Sequence, residues 1–487
     1  MPADAGFQFD NSYARLPGVL FSRRQPQPVN APQMALFNRT LATQLGLDAE
    51  ALDSQAGAAL LAGNMPIAGA DPIAQAYAGH QFGHLTMLGD GRAILLGEQL
   101  TAAGQRYDIQ LKGAGRTPFS RGGDGRAALG PMLREYLISE AIHALGIATT
   151  RSLAVVTSGE PVMREVALPG AILTRVATSH LRVGTFQFTA GQQDPALLQS
   201  LVDYTLQRHY PQHQDADNPA LALLEAVMER QIALVTDWMR VGFIHGVLNT
   251  DNVTLSGETI DYGPCAFMDD YHRDTVFSSI DHQGRYAYGN QPTITQWNLS
   301  RFAETLLGLI DDDTDSAIEK ASALIKDFPR RYQARWLTMM KDKLGLAGED
   351  QDDTALIQAL LDWMQTRQAD FTNTFRDLTD SDGLPSGTLY QDDAFRHWHQ
   401  RWQARLTRNP GTPADARARM QRSNPAVIPR NHLVEQALSA AGEHHDLAPA
   451  RALLEALANP YQHRERDDPY RQPPAPEEKV CETFCGT

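Results

Sequence analysis

The sequence predicts an α+β fold in two lobes, a strand-rich N-terminal lobe with one key helix and a larger, mostly helical C-terminal lobe. Three observations predict it. Between about 76 and 190, short β-like runs alternate with Gly-rich turns. After about 190, the apolar spacing becomes helical. At the changeover lies a β-like stretch, FIHGVLNTDNVTLSGETIDYGP, dense in polar side chains.

Residues 1–75 are expected to form an N-terminal extension, with short helical pieces such as MALFNRTLATQLGL. Within 76–190, the runs GRAILLGEQL, YDIQLKG, LAVVTSG and AILTRV predict strands bounded by glycine. PMLREYLISEAIHALG predicts the one helix among them. Pro131 suits its first turn and Gly146 its end, and Met132, Leu133, Tyr136, Leu137, Ala141, Ala144 and Leu145 form an apolar stripe. The helical lobe, 191–460, holds the long apolar-periodic segment NPALALLEAVMERQIALVTDWMRVG, which ends at Gly242. A catalytic hairpin is expected over 243–264, then helices near 297–310, 315–345, 353–376, 393–407 and 430–457. The Pro- and charge-rich remainder, 461–487, predicts a mobile tail carrying Cys481 and Cys485. A strand-rich lobe with one helix, then a helical lobe with a hairpin at the junction, is the architecture of a protein kinase.

Bulk properties narrow the function. The 487 residues are 42% hydrophobic and 21% charged, as in a globular protein, with a formal net charge of -15. That charge argues against nucleic acid or an anionic membrane surface as partner. A polyphosphate ligand remains compatible, provided the cations gather locally. No run of about 18 apolar residues appears, so no membrane span is expected. The N-terminus lacks a basic region followed by an apolar one, which predicts a cytoplasmic, bacterial-type protein. The chain has 3 cysteines, too few for a disulfide framework.

The chemistry begins at His245–Asn252, HGVLNTDN, which keeps the H and N of the kinase frame H-R-D-x-x-x-x-N. Val247 stands where that frame has its aspartate. Downstream, Asp261-Tyr262-Gly263 can stand for the kinase D-F-G, with Asn252 and Asp261 as a minimal ligand pair for a hard cation. Lys112 ends a predicted strand, where a kinase keeps its phosphate-binding lysine, and Glu135 on the predicted helix is its expected partner. Glu140, on another face of that helix, is the alternative. Gly89, Gly91 and Gly97 make a Gly-rich turn able to bring backbone N–H groups to phosphates, and Arg92 adds a cation. A second Gly-rich stretch contains Asp124-Gly125-Arg126. Arg164, Arg175 and Arg182 follow, the last two near the lobe junction, where cations suit phosphates better than adenine.

Together these residues resemble the selenoprotein O family, pseudokinases that act as protein adenylyltransferases. The resemblance spans nearly the whole chain through FDNSYARLP, YAGHQFGHLTMLGDGRA, QLKGAGRTPFSRGGDGRA, HGVLNTDNVTLSGETIDYGP, DHQGRYAYGNQP and SNPAVIPRNH. It implies ATP bound in reverse, with the γ-phosphate inside the cleft, and AMP transferred to Ser, Thr or Tyr hydroxyls of protein substrates, redox-related proteins among them. It implies nucleotide binding by Gly89, Gly91, Arg92, Lys112, Asp124, Gly125, Arg175 and Arg182. Glu135 would partner Lys112, and Mg²⁺ or Mn²⁺ would sit on Asn252 and Asp261. Asp251 would accept the acceptor's proton; the opposing reading makes it a group that orients its metal-binding neighbour. Animal members carry selenocysteine near the C-terminus, where this chain reads CETFCGT, which suggests redox control through ordinary thiols. A bond from Cys265 to Cys481 or Cys485 would tie the tail across the cleft; free thiols are the expected resting state. A phosphoryl-transferring kinase and a nucleotide-binding scaffold without transfer are the rival readings.

Overall fold

Continuous apolar runs in the first lobe arise because its sheet is covered on both faces. The structure, a computed structural model, describes residues 5–81 and 83–484. Its strands are β1 (Phe21–Arg23), β2 (Gln33–Phe37), β3 (Ile73–Gln75), β4 (Ala78–Gln81), β5 (His84–Met87), β6 (Ala93–Leu100), β7 (Arg106–Lys112), β8 (Ala127–Ala128), β9 (Arg151–Met163) and β10 (Ala167–Ala177). The main sheet is antiparallel, in the order β1-β3-β6-β7-β10-β9-β2, with β8 on β10; β4 and β5 form a separate hairpin. One face packs on the short helices α1 (Arg39–Gln44), α2 (Ala49–Leu52) and α3 (Gln55–Leu61) through Leu41, Leu52 and Leu61 against Ile94, Ile109 and Ile172. The other packs on α4 (Leu129–Ala144) through Met132, Leu133 and Tyr136.

The second lobe contains α5 (Val183–Gly191), α6 (Pro195–His209), α7 (Pro219–Val241), α8 (Gln291–Ile310), α9 (Thr314–Lys343), α10 (Asp353–Arg367), α11 (Phe371–Asp380), α12 (Asp393–Leu406), α13 (Pro413–Ser423), α14 (Asn431–His444), α15 (Ala448–Leu457) and α16 (Asp468–Arg471). The long helix α7 has the ends its sequence predicts. Asn218 caps it by accepting from Leu221 N, Pro219 opens it, and Gly242 closes it at φ +74°. Among the described residues, no helix is long and apolar enough to cross a membrane.

Several expectations change. Residues 1–75 contribute β1, β2 and β3 to the sheet, and QMALF is a strand rather than the start of a helix. The helices near 353–376 and 430–457 are each two, broken at Gln368 and His445 in left-handed conformation. Residues 243–264 do not form a hairpin. Phe243–Ile244 (β11) pairs instead with Ala266–Phe267 (β12). The stretch 253–259 is bound to the lobe junction: Val183 N donates to Val253 O, Leu255 N to Leu181 O, and Thr150 N to Thr259 O. Its Thr and Ser hydroxyls favour such local bonding over a regular ladder. The stretch 461–484, expected as a mobile tail, carries α16 and docks at Thr483, whose backbone N donates to Phe277 O and whose hydroxyl donates to Pro264 O at 2.6 Å.

The last helices reach back to the first lobe. The α14–α15 pair packs behind α4, where Leu137 meets Ala437 and Ala450 and Arg134 is bonded to Glu435.

Candidate active site

The site is assembled around Asp261. Lys112, the last residue of β7, donates from Nζ to Glu135 Oε2 at 2.5 Å and to Asp261 Oδ1 at 2.7 Å. The predicted Lys112–Glu135 pair is therefore formed, while Glu140 is bonded to Arg151 at 2.7 Å. Arg175, on β10, donates from Nη1 to Glu135 Oε1 at 3.1 Å and to Asp261 Oδ1 at 2.6 Å. Its other nitrogens are fixed by Gln110 Oε1. Arg182, just past the junction, donates to Asp261 Oδ2 at 3.1 Å and to the backbone oxygen of Asp251 at 3.0 Å. Its guanidinium lies over the Tyr77 ring, 4.4 Å from the centroid.

Three cations thus share one carboxylate. Burial alone would push the Asp261 carboxyl up; the charges of Lys112, Arg175 and Arg182 outweigh it and hold the group well below the usual range. Asp261 sits at φ +61°, a conformation disfavoured for side-chain-bearing residues and held here by these ion pairs. The cations line a cavity of about 610 Å³, ample for a nucleotide. Six arginines and one lysine line it against five carboxylates, so the cleft is positive inside an acidic molecule.

The turn from His245 to Asn252 lies opposite. His245 is buried, with Nε2 2.9 Å from Ile260 O, and serves to tie the turn to the Asp261 segment. Asn252 Nδ2 donates to Val247 O at 2.8 Å, which leaves the amide oxygen to ligate. Val247 lines the cavity without a charge. Asp251 is buried, its Oδ1 has no hydrogen-bond partner among the described residues, and burial pushes its carboxyl up to about 6. The β4–β5 hairpin closes over it. A Cβ on Gly79 would stand 2.2 Å from Asp251 Oδ1, so only glycine permits this approach.

The Gly-rich turn is pinned by the insert that follows Lys112. Thr117 Oγ1 donates to Asp90 O at 2.6 Å and Ser120 Oγ to Gly91 O at 2.5 Å. Gly89 is at φ +99°, and a Cβ there would meet the Phe119 ring at 2.4 Å. Arg92 lines the cavity beside them. Asp124 and Gly125 also line it; Asp124 is held by Arg164 at 2.9 Å, so Arg164 braces the insert. Sequence reasoning missed Asp90 and Arg121. Asp90 is buried between the two glycines, with its carboxyl pushed up to about 6 by burial and its Oδ1 4.0 Å from Arg182. The signal was its place in GDGR. Arg121 lines the cavity from the insert, and its positive charge acts to lower the Asp251 carboxyl.

Asn252 and Asp261 fit a hard divalent cation. They offer one amide oxygen and one carboxylate, with phosphate and water to complete the shell. Among the described residues, no group of three or more His, Cys, Asp or Glu is placed to hold a metal without such help. Cys265 is a buried free thiol pushed up to about 12 by burial, hence protonated and inert; Cys481 is free and exposed. Cys485 lies outside the described residues.

A two-lobed α+β fold with a lysine–glutamate pair, a carboxylate–amide pair and a cation-filled cleft defines a nucleotidyl- or phosphoryl-transferring enzyme of kinase-like build. The chain matches the family model for protein adenylyltransferase SelO over residues 5–458, and it belongs to that family. It is 67% identical over 487 residues to a protein nucleotidyltransferase YdiU of Alcanivorax borkumensis, covering 100% of both chains. It is 58% identical over 482 residues to the protein of the same description from Syntrophotalea carbinolica, covering 99% of this chain and 98% of the relative. To that of Geobacillus kaustophilus it is 57% identical over 484 residues, covering 99% and 100%. Enzymatic nucleotidyl transfer is thus its family's activity.

Proposed function

We propose that this protein transfers AMP from ATP to Ser, Thr or Tyr hydroxyls of protein substrates and releases pyrophosphate. The observation that carries the reading is the cluster of Lys112, Arg175 and Arg182 on the single carboxylate of Asp261, deep in the cleft. Such a concentration of buried cations suits the β- and γ-phosphates, so ATP would enter reversed, with its α-phosphate outward. Gly89, Gly91 and Arg92 on the turn, and Asp124 and Gly125 on the insert, complete the nucleotide's surroundings. Glu135 keeps Lys112 and Arg175 in place. A Mg²⁺ or Mn²⁺ ion on Asn252 and Asp261 would neutralise phosphate charge.

Asp251 accepts the proton of the acceptor hydroxyl as its oxygen bonds to the α-phosphorus. The bond from that phosphorus to the bridging oxygen breaks, and pyrophosphate takes the electron pair. The carboxylate's raised pKa makes it a stronger base than an exposed aspartate. Val247 explains why γ-phosphoryl transfer is disfavoured, since the kinase base is absent there.

Incubation of the enzyme and a protein acceptor with ATP labelled at the α- or the γ-phosphate tests this. Label retained only from the α position supports AMP transfer; label only from the γ position makes it a kinase, and label from neither makes it a scaffold. Thiol control belongs to the same reading, with exposed Cys481 open to oxidation. Activity should differ between the oxidised and reduced enzyme, and serine variants of Cys481 or Cys485 should change that difference while Cys265→Ser keeps it; indifference to redox in the parent and in all three variants would remove thiol control. A cytoplasmic setting, which supplies ATP and Mg²⁺, agrees with this chemistry.

A further inference from the structure

The catalytic turn is gripped from two sides, and the surface between the grips is charged. From the β4–β5 hairpin, His80 N donates to Thr250 Oγ1 at 2.8 Å. From the segment before α8, Tyr286 OH donates to Asn249 Oδ1. Between them, Trp297 of α8 carries two guanidinium groups: Arg285 lies 4.7 Å from its ring centroid and Arg301 5.3 Å, while the His80 ring meets its edge at 5.2 Å. His80, Arg285, Trp297 and Arg301 are half-buried and lie outside the lining of the nucleotide cavity, to which their neighbours Gln81 and Asn249 belong.

The two arginines differ in one respect. Arg301 is paired with Glu304 at 2.6 Å. Arg285 has no carboxylate partner among the described residues. The nearest acid in sequence, Asp281, places its oxygens on the backbone N–H groups of Arg285 and Tyr286, at 2.9 and 2.7 Å. The loop therefore holds the Arg285 backbone while leaving its guanidinium without an opposite charge. In a chain of net charge -15, a guanidinium stacked on an indole, unneutralised, and one residue from a tyrosine bonded to the catalytic turn is a feature that calls for an anion.

We propose that the Arg285–Trp297–Arg301 surface receives an acidic segment of the acceptor protein, with Arg285 pairing an Asp or Glu close to the modified hydroxyl. This rests on the AMP-transfer reading only for the identity of the group transferred. Arg285 is a specificity-determining residue for the acceptor and has no role toward ATP. Positioning follows from the connections: an acceptor held by Arg285 lies beside the turn that carries Asp251.

Random copolymers test it. Poly(Glu,Tyr) and poly(Lys,Tyr) are offered as acceptors with α-labelled ATP to the full-length enzyme and to Arg285→Gln, Arg285→Lys and Arg285→Glu. The expected result is a KM at least ~10-fold lower for poly(Glu,Tyr). R285E should raise that KM by about tenfold and improve use of poly(Lys,Tyr), with the KM for ATP unchanged. R285K should retain most of the preference, which a merely structural role would not predict. Equal use of the two polymers, or an R285E effect confined to ATP, overturns the proposal. Binding of fluorescein-labelled poly(Glu,Tyr), read by anisotropy, needs no turnover. Loss in R285E supports the acidic-segment site even if label arrives only from the γ position, and unchanged binding overturns it. Where R285E fails to fold, R285Q carries the same comparison.

Discussion

Asp261 has to answer three cations at once, and its substitution should expose what they are for. Asp261→Asn keeps the shape and tolerates φ +61°, so it should fold. It removes the carboxylate that Lys112, Arg175 and Arg182 all share, and AMP transfer should fall by at least ~10³-fold in an α-label assay. Turnover within tenfold of the parent would rule out the metal role. Gly79 offers a second test. Gly79→Ala drives a methyl against Asp251 Oδ1 at a site where the backbone itself accepts alanine. A displacement of that size should cost about 10²-fold in kcat with little change in the KM for ATP. Equal kcat would mean that Asp251 is not the base. At this scale the sequence was informative where spacing along one element was enough. Lys112, Glu135, Asn252 and Asp261 were legible from their places on a predicted strand, a predicted helix and predicted turns. Gly79 against Asp251 and Arg121 in the same cavity as Asp251 were not, because each brings together segments whose meeting depends on the tertiary fold.

Elements were legible where apolar periodicity was strong: β6, β7, β9, β10, α4 and α7 lie where the sequence places them. The expected hairpin failed because 253–259 finds its partners at the lobe junction, a pairing no local pattern encodes. That junction contains a titrating group. Glu258 is half-buried and accepts from Thr178 N at 3.1 Å and from Thr178 Oγ1 at 2.7 Å, with Ser256 Oγ donating at 2.9 Å. Burial pushes its carboxyl up to about 7, with the charge of Asp108 adding to the rise. A folded-state value above the ordinary 4.5 favours the protonated form. The associated stability is full below about 4.5 and is lost as pH rises through about 7. Glu258→Gln keeps a neutral acceptor at all pH values. It should therefore raise Tm at pH 8 by about 2–4 °C and leave it unchanged at pH 4. Calorimetry at the two pH values checks this; a loss at pH 8 would show that the ionised carboxylate stabilises the junction.

Across the whole molecule, charge is unevenly distributed: the chain is acidic while its cleft collects cations. Filling the cleft with a polyphosphate should relieve that mutual repulsion. A non-hydrolysable ATP analogue with Mg²⁺, at about 100-fold its Kd, should stabilise the fold by ~2.7 kcal/mol, read as a higher Tm. Lys112→Met should lose most of that gain, and an equal gain would place the phosphates elsewhere. The bilobal plan was readable from composition along the chain, but the return of α14 and α15 to α4 was not, since helical periodicity says which face is apolar and not what it meets. That return has a consequence in time. Arg134 and its partner Glu435 are 301 residues apart, so a chain emerging from the ribosome makes the nucleotide cleft long before it makes the brace behind it. Until the last helices are released, the helix carrying Glu135 lacks its backing. Competence should therefore arrive late in synthesis, which spares the cell a half-made enzyme that labels its neighbours.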